Sequence, residues 1–272
     1  MNNIMSVDLE DYFCDLPFSL WSNFSSRIIE TTETLLKLFE KYNVTATFFT
    51  LGYIADVHPE LVEKIVSNGH EIASHSYSHI DLRKKSKTEI ESDLKKSISS
   101  LEKVSGEKIY GFRAPFFSIS QDNLDSFDII KKYFKYDSSI FPVRTPLYGI
   151  HNAPRFSYRF SSNYPLEKNS NGELLELPPA TLKIPLYGNL PIAGGFYLRF
   201  LPLSLIKYGI NKLNKLEQPG MFYIHPKDLD VGMPKIDSYN WHYYYNLKNG
   251  KKKFESLLKN FKFSSVRDTY SF

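Results

Sequence analysis

Short apolar segments of strand character alternate with amphipathic helical segments along most of the chain, and this alternation restricts the possible folds more than any other feature. Strand patterns at residues 4–7 and 45–51 flank a helix pattern at residues 31–42. The amphipathic helix pattern at residues 88–104 and the strand pattern at residues 221–224 continue the series. Repeated alternation of this kind is typical of an α/β protein, in which helices cover a mostly parallel sheet.

Ionisable residues follow directly after several of the predicted strands. These residues are Asp8, His75, Arg113, Asp137 and His225. Because parallel strands end at the same edge of a sheet, active sites of α/β proteins form outside their carboxyl ends. The sequence therefore predicts one polar site built from residues that are far apart in the chain.

Composition excludes several other classes of protein. Hydrophobic residues make up 42% of the 272 residues and aromatic residues 15%, which rules out a disordered chain or a coiled coil. The net charge of +4 is spread along the chain, so we expect no nucleic-acid partner. The single cysteine, Cys14, cannot form an intramolecular disulfide. We find no signal-peptide pattern and no apolar run of transmembrane length, and we therefore expect a cytoplasmic protein.

Two histidines and three acids have the composition of a metal site. On a helical turn, His75 and His79 would project from one face and share an ion. Asp8, Glu10 and Asp11 follow the first strand and offer an anionic third ligand. Two histidines and one carboxylate with open positions are typical of a catalytic zinc site. The alternatives are two ordinary histidines, and acids that cap the next helix or line a solvated loop.

The spacing of the acids allows a division of roles. On an extended segment, Asp8 and Glu10 point to the same side, because side chains alternate with a period of two. One carboxylate can then bind the metal while the other contacts a metal-bound water.

Five motifs in order carry a resemblance to a known family. They read SVDLED, GHEIASHSYSH, GFRAPFF, YDSS and FYIHP. The series resembles the motifs of the NodB-type polysaccharide deacetylases, carbohydrate esterase family 4, over residues 4–226. It is most similar to the exopolysaccharide-associated branch, whose first motif is of DVEDYF type and whose C-terminal extension contains HPxExD.

The resemblance implies a distorted (β/α) barrel with fewer than eight regular strands. We expect a single domain over residues 1–272, with residues 227–272 as a C-terminal extension. The resemblance also implies one divalent metal ion, most often Zn²⁺, and hydrolysis of the N-acetyl group of an amino sugar. The long irregular stretch at residues 138–171 is then expected to form loops that face the substrate.

The motif matches also imply a role for each residue. Asp8 corresponds to the catalytic base, His75 and His79 to the metal-binding histidines, and His225 to the general acid. Arg113 corresponds to the arginine that orients the base, for which a bidentate guanidinium is well suited.

The remaining site residues follow from the same comparison. Asp137 corresponds to the acid that partners the catalytic histidine or arginine, and Pro115 and the backbone N–H of Phe116 to the oxyanion site. In the family's usual first motif the metal aspartate directly follows the base, but here that position is Leu9. We therefore favour Glu10 as the carboxylate ligand, with Asp11 as the alternative. Among the aromatic residues, Tyr197 and Trp241 are candidates for stacking on sugar rings.

The sequence thus predicts a metal-dependent hydrolase acting on an N-acetylated saccharide. Without a signal-peptide pattern, a glycan precursor of exopolysaccharide or surface-glycan biosynthesis is the expected substrate. Two alternatives remain at this stage. The same fold in other enzymes hydrolyses cyclic imides or ureides, and a protein with this fold can also bind carbohydrate without catalysis.

Overall fold

The structure is a computed structural model that describes all 272 residues. It contains eleven β-strands and ten α-helices. The strands are β1 (Asn2–Leu9), β2 (Thr47–Thr50), β3 (Glu71–Ser74), β4 (Gly111–Phe112), β5 (Tyr136–Asp137), β6 (Tyr158–Phe160), β7 (Leu174–Glu176), β8 (Thr181–Ile184), β9 (Gly188–Pro191), β10 (Met221–Ile224) and β11 (Lys262–Ser264).

Nine of the strands form one curled sheet. The order is β10-β1-β2-β3-β4-β5-β7-β6, and β11 pairs with the start of β1. All pairs in this sheet are parallel except β6 and β7, which are antiparallel. A bridge between Pro179 and Met221 brings the chain after β7 back to β10. The predicted distorted (β/α) barrel is therefore confirmed.

Helices cover the outer face of the sheet. They are α1 (Ile28–Tyr42), α2 (Gly52–Val57), α3 (Pro59–Ser67), α4 (Lys87–Ser105), α5 (Phe127–Tyr133), α6 (Gly195–Phe200), α7 (Leu203–Lys215), α8 (Trp241–Tyr244), α9 (Leu247–Asn260) and α10 (Val266–Thr269). The longest, α4, has clear local signals: Ser86 and Glu89 form a capping box, and Gly106 ends the helix at a φ of 68°. None of the helices is both long and apolar enough to span a bilayer.

Alternating side chains of the strands form two apolar layers. Phe48 belongs to the larger layer between sheet and helices, whereas its neighbour Phe49 belongs to the small cluster inside the barrel. Tyr136 also lies inside and contacts Phe49, with ring centroids 6.4 Å apart. This period of two decides which residues at the strand ends face the centre of the barrel.

The stretch at residues 138–171, expected to be irregular, contains the strand β6. Further along the chain, β8 and β9 form a hairpin. The helix α5 begins at Phe127, directly after a 3₁₀ turn. The helices α2, α6, α8 and α10 have six residues or fewer, too few for a helical period to be recognised in the sequence.

Two acids on adjacent strands, Asp137 and Glu176, form a buried pair. They are register partners of β5 and β7, and both are fully buried. Glu176 Oε2 has no hydrogen-bond donor. Burial raises the pKa of Asp137 to about 6, and burial together with the charge of Asp137 raises the pKa of Glu176 well above its ordinary value. As the pH rises, the unfolded chain therefore releases the protons of these two carboxyl groups before the folded protein does.

Replacing Glu176 with Gln is expected to reduce the dependence of stability on pH. Stability from a raised acid pKa is present below the unfolded pKa and is lost as pH rises through the folded pKa, here about 6 for Asp137. The Gln amide donates to Asp137 without a titrating proton. The free energy of unfolding of Glu176→Gln relative to wild type, measured in urea, should therefore increase from pH 5 to pH 8. The exposed control Glu167→Gln should show no such increase. An equal dependence of the free energy of unfolding on pH in both variants would contradict the raised pKa of the buried pair.

Candidate active site

Four of the predicted site residues meet at the carboxyl edge of the sheet. Asp8 is the penultimate residue of β1, His75 directly follows β3, Arg113 directly follows β4 and His225 directly follows β10. Glu10 joins them one residue beyond β1. Asp8, Glu10, His75 and Arg113 are all at most 2% exposed. The parallel arrangement thus assembles one compact polar centre from distant parts of the chain.

Glu10, His75 and His79 form a group that can hold a metal ion. One ligand atom from each lies within 4.8 Å of the other two. The Nδ1 atom of His75 lies 2.8 Å from the carbonyl oxygen of Arg113, and that of His79 lies 2.9 Å from the carbonyl oxygen of Cys14. Each Nδ1–H therefore donates to a carbonyl, which leaves the Nε2 lone pair free for a metal.

The charges in this group also fit a cation. Glu10 Oε2 is buried and receives no hydrogen bond. His79 Nε2 lies 2.6 Å from it, but the geometry of this contact is not that of a hydrogen bond. Burial alone would raise the pKa of Glu10, but the positive charge of Lys227 and the adjacent His79 ring lower it well below its usual range. Burial lowers the pKa of His75 to about 4, which keeps its imidazole neutral at pH 7. An ionised carboxylate beside a neutral imidazole is a suitable donor set for a divalent metal.

The predicted helical turn between the two histidines is not present. Residues 75–80 form a loop without helical hydrogen bonds, and Ser76 and His79 have positive φ angles of 67° and 54°. The two imidazoles approach each other, with ring centroids 5.3 Å apart, because of these left-handed residues. The pairing is thus produced by an uncommon backbone conformation.

Asp11, the alternative carboxylate ligand, points away from this centre. It accepts hydrogen bonds from Ser26 Oγ and from the backbone N–H groups of Tyr12 and Arg27. These contacts fix the chain at the start of α1. The structure therefore places Glu10 with the histidines, and Asp11 has the capping role that was its alternative interpretation.

Asp8 is held by Arg113, but not through a bidentate contact. Arg113 Nη1 lies 2.5 Å from Asp8 Oδ1 and 3.0 Å from Ser6 Oγ. Its Nη2 donates to Ser138 Oγ and its Nε to the Ser138 carbonyl. The fully buried guanidinium thus divides its donors between two strand ends, which contradicts the expected bidentate pair. Asp8 Oδ2 remains free on the side of His225.

His225 forms its carboxylate pair with Asp228. Its Nδ1 lies 2.8 Å from Asp228 Oδ2, and its backbone N–H donates to the same oxygen at 2.9 Å. Arg199 Nη2 lies 3.1 Å from the other oxygen, Asp228 Oδ1. Burial alone would lower the pKa of His225, but the hydrogen bond and charge of Asp228 raise it above its ordinary value. The other ring nitrogen, Nε2, lies 3.8 Å from Asp8 Oδ2 and 3.4 Å from Glu10 Oε1.

Asp137 makes no hydrogen bond or ion pair with His225 or Arg113, the partners expected for it, and that role stays a prediction. It accepts hydrogen bonds from the backbone N–H and hydroxyl of Ser139 and forms the buried pair with Glu176. The preceding residue, Tyr136, points into the barrel, so Asp137 points to the outer layer. Position at a strand end was therefore not enough to place this side chain in the site.

The remaining predicted residues fall into two groups. Phe116 lies beside the candidate metal ligand His79, with ring centroids 4.4 Å apart and a φ of 58°, and Pro115 precedes it at the start of a 3₁₀ turn. Tyr197 pairs its hydroxyl with that of Tyr148 at 3.0 Å. Trp241 is 63% exposed and packs on Phe196 and Tyr245, with no contact to the catalytic side chains. The oxyanion role of the Phe116 N–H and the sugar contacts of Tyr197 and Trp241 stay predictions.

Three residues of the site were not predicted from the sequence. The role of Asp228 could have been predicted, because the residues around it have the pattern of a helix start. In this pattern His225 is the cap, Pro226 the first residue of the turn and Asp228 the acid that bonds back to the cap. Lys227, whose Nζ lies 2.7 Å from Glu10 Oε1, had no signal of its own. Arg199 donates to the carbonyl oxygens of His242, Tyr243 and Tyr245 and lies within a short apolar helix, which gave no indication of this role.

Two family models match successive parts of the chain. Residues 19–129 match the polysaccharide deacetylase family, and residues 138–271 match a domain of unknown function, DUF3473. The second match includes His225, Lys227 and Asp228, so both matched segments contribute to the candidate site.

Known proteins are similar to this chain in sequence and in fold. A peptidoglycan deacetylase of Helicobacter pylori is 27% identical over 216 residues, which are 77% of this chain and 64% of that protein. A structure from Mycobacterium smegmatis, assigned provisionally as a polysaccharide deacetylase, superimposes with a TM-score of 0.63 at 18% identity, covering 99% of this chain and 90% of that one. Puue allantoinase superimposes with a TM-score of 0.61 at 15% identity, covering 97% and 87%. The polysaccharide deacetylase model thus matches the part of the chain that contains His75, His79 and Arg113, this chain spans 64% of the Helicobacter pylori relative, and the two solved structures show a shared fold.

Proposed function

We propose that this protein is a metal-dependent hydrolase that removes the N-acetyl group from an amino sugar of a saccharide. The strongest support is that a carboxylate, an imidazole and a group able to bind a metal lie together. His225 Nε2 is 3.8 Å from Asp8 Oδ2 and 3.4 Å from Oε1 of Glu10, the candidate carboxylate ligand of the metal. The peptidoglycan deacetylase activity named for the Helicobacter pylori relative agrees with this chemistry.

Asp8 is the proposed general base. Arg113 occupies Oδ1, which leaves Oδ2 to accept a proton from the attacking water. The buried guanidinium also fixes the direction of this carboxylate. Water attacks the acetamide carbon, the C–N bond breaks, and acetate and a free amine are formed.

His225 is the proposed general acid for the departing amine. Asp228 holds Nδ1, so the Nε2 proton is directed toward the point where Asp8 and Glu10 face each other. The raised pKa of His225 increases the fraction of imidazolium that can donate a proton at neutral pH. The proposed base and acid thus lie close together, 3.8 Å apart, at one point of the site.

Glu10, His75 and His79 would hold the metal ion, and Zn²⁺ is the ion that best suits two imidazoles and a carboxylate. When bound, such an ion polarises the amide carbonyl and lowers the pKa of a coordinated water. We further propose that the substrate is a glycan precursor of exopolysaccharide or surface-glycan biosynthesis, because the first motif resembles that of the exopolysaccharide-associated branch. A cytoplasmic location of the reaction is part of the same proposal.

The proposed function is tested by mass spectrometry of saccharides incubated with the purified, zinc-loaded protein. The panel contains nucleotide-linked, lipid-linked and polymeric N-acetylhexosamines and a cyclic ureide, and the readouts are loss of an acetyl group and release of acetate. Deacetylation of a saccharide that stops when a chelator removes the metal is expected. Turnover of the ureide alone would overturn the proposal in favour of another amidohydrolase, and saccharide binding without turnover would indicate a non-catalytic protein.

Replacing Asp228 with Asn is expected to lower turnover by about 10- to 100-fold, a part of the ~10²–10⁴-fold that a general acid contributes. The amide cannot stabilise the imidazolium of His225 as a carboxylate does. The matched control, Asp137→Asn, is expected to change turnover by less than about threefold, because Asp137 lies outside the site. Steady-state acetate release by both variants checks this, and a larger loss in Asp137→Asn would restore the role that the sequence predicted.

A further inference from the structure

Lys227 is a buried cation beside a metal ligand and has no role in the proposed chemistry. It lies in the 3₁₀ turn Pro226–Leu229, directly after the general acid His225. Its Nζ donates to Glu10 Oε1 at 2.7 Å and to Asp15 Oδ2 at 3.0 Å. The side chain is only 10% exposed, so this ammonium is an internal part of the site.

The contacts of Glu10 distinguish its two oxygens. Oε1 receives the Lys227 ammonium, whereas Oε2 faces the imidazole of His79 and has no hydrogen-bond donor. Only Oε2 is therefore available to a metal shared with the two histidines. A carboxylate with one oxygen occupied by an internal donor can bind an ion through the other oxygen alone.

Glutamate at this position needs such a contact more than aspartate would. Its side chain has one more rotatable bond, and fixing a long side chain costs more conformational entropy on folding or on metal binding. The 3₁₀ turn that contains Lys227 is tied to the start of α1, because Arg27 donates from Nε to Asp230 Oδ2 at 2.6 Å and from Nη2 to Asp230 Oδ1 at 2.9 Å. This tie holds the turn from which the Lys227 ammonium reaches Glu10.

We infer that Lys227 is a positioning residue for the metal site. It holds Glu10 Oε1 and thereby directs Oε2 toward the ion that His75 and His79 share. This inference rests on the metal site of the proposed function, and it concerns the affinity of that site. A simpler electrostatic view leads to the opposite expectation, because a cation this close to a ligand repels a divalent ion.

The test is the zinc dissociation constant of the full chain, measured by competition with a chromophoric chelator. Lys227→Met is expected to weaken zinc binding by about 10- to 100-fold, the usual effect of losing an outer partner of a metal ligand. The control Lys64→Met removes an exposed lysine that also contacts a carboxylate, Glu33, and should leave the zinc affinity unchanged. Zinc binding by Lys227→Met as tight as wild type, or tighter, would overturn the inference.

Two further measurements separate positioning from a general loss of structure. The thermal midpoint of each variant is determined without metal, and the visible absorption of the Co²⁺-loaded protein reports the geometry around the ion. Positioning predicts an altered Co²⁺ spectrum in Lys227→Met, while a spectrum identical to wild type would contradict it. If Lys227→Met does not fold, Lys227→Gln is measured instead, because its amide can still donate a hydrogen bond to Oε1. Its zinc affinity is expected to fall by less than about tenfold. A larger fall in zinc affinity would contradict positioning by hydrogen bonding.

These outcomes are independent of the proposed reaction. Zinc binding is measured without a saccharide, so wild-type protein that binds zinc but releases no acetate would contradict the proposed function and leave the inference about Lys227 intact. Conversely, an active enzyme whose zinc affinity does not depend on Lys227 would contradict only the inference.

Discussion

An Asp8→Asn enzyme is expected to release acetate at least about 100-fold more slowly than wild type, within the range that a general base contributes. The amide preserves the shape of the side chain and an oxygen for Arg113, but it cannot accept a proton from water. The measurement is the initial rate of acetate release by zinc-loaded protein at pH 7. Retention of more than one tenth of the wild-type rate would show that another group is the base.

The neighbouring Asp11→Asn variant is a matched control for this change. It makes the same substitution three residues later in the chain, where the carboxylate caps the start of α1 and does not face the site. Both oxygens of Asp11 accept backbone N–H donors, so the amide should cost some stability, while the activity of the folded variant should be close to wild type. Asp8→Asn is expected to lose stability as well, because the fully buried Arg113 loses its only carboxylate partner.

Replacing His79 with Asn is expected to lower the zinc affinity by at least ~100-fold and so abolish stable zinc binding. This is the upper end of the loss caused by removing a residue that only hydrogen-bonds to a metal ligand, and His79 is itself a candidate ligand. Asparagine is chosen because His79 has a φ of 54°, a conformation that asparagine tolerates better than alanine. The backbone should therefore keep its course while one ligand is lost. Metal content by mass spectrometry and acetate release should fall together.

The exposed His151 supplies the matched control for that substitution. His151→Asn removes an imidazole outside the candidate site and should retain both zinc and activity. If His79→Asn kept full activity after exhaustive removal of metal, the reaction would not depend on the ion, and the metal-based part of the proposed function would be wrong.

The alternation of strands and helices was sufficient to predict a mostly parallel sheet covered by helices and the edge where the site forms, whereas the barrel was implied by the family resemblance. Asp8 and Glu10 could be placed on one side of the chain because an extended segment alternates with a period of two. The same rule could not place Asp137: β5 is only two residues long, and nothing in the sequence states which of the two faces inward. Short strands give too few side chains for their direction to be inferred.

Other parts of the site depend on conformations that sequence patterns do not reveal. The approach of His75 and His79 requires left-handed backbone at Ser76 and His79, which neither residue type indicates. The contact between Lys227 and Glu10 joins residues 217 positions apart. Such contacts follow from the packing of the whole barrel, and only the local cap of His225 by Asp228 had a pattern that could have been read in advance.

The pairing of β10 and β11 with β1 has a consequence for how the protein is made. The candidate metal ligands Glu10, His75 and His79 leave the ribosome before Lys227, which follows Glu10 by 217 residues, roughly 10 to 40 s later at ~5–20 residues per second. During that interval β1 lacks two of its three partners, and the metal ligands lack the segment that later covers them. Loading of an ion onto the nascent chain can therefore precede the arrival of the general acid.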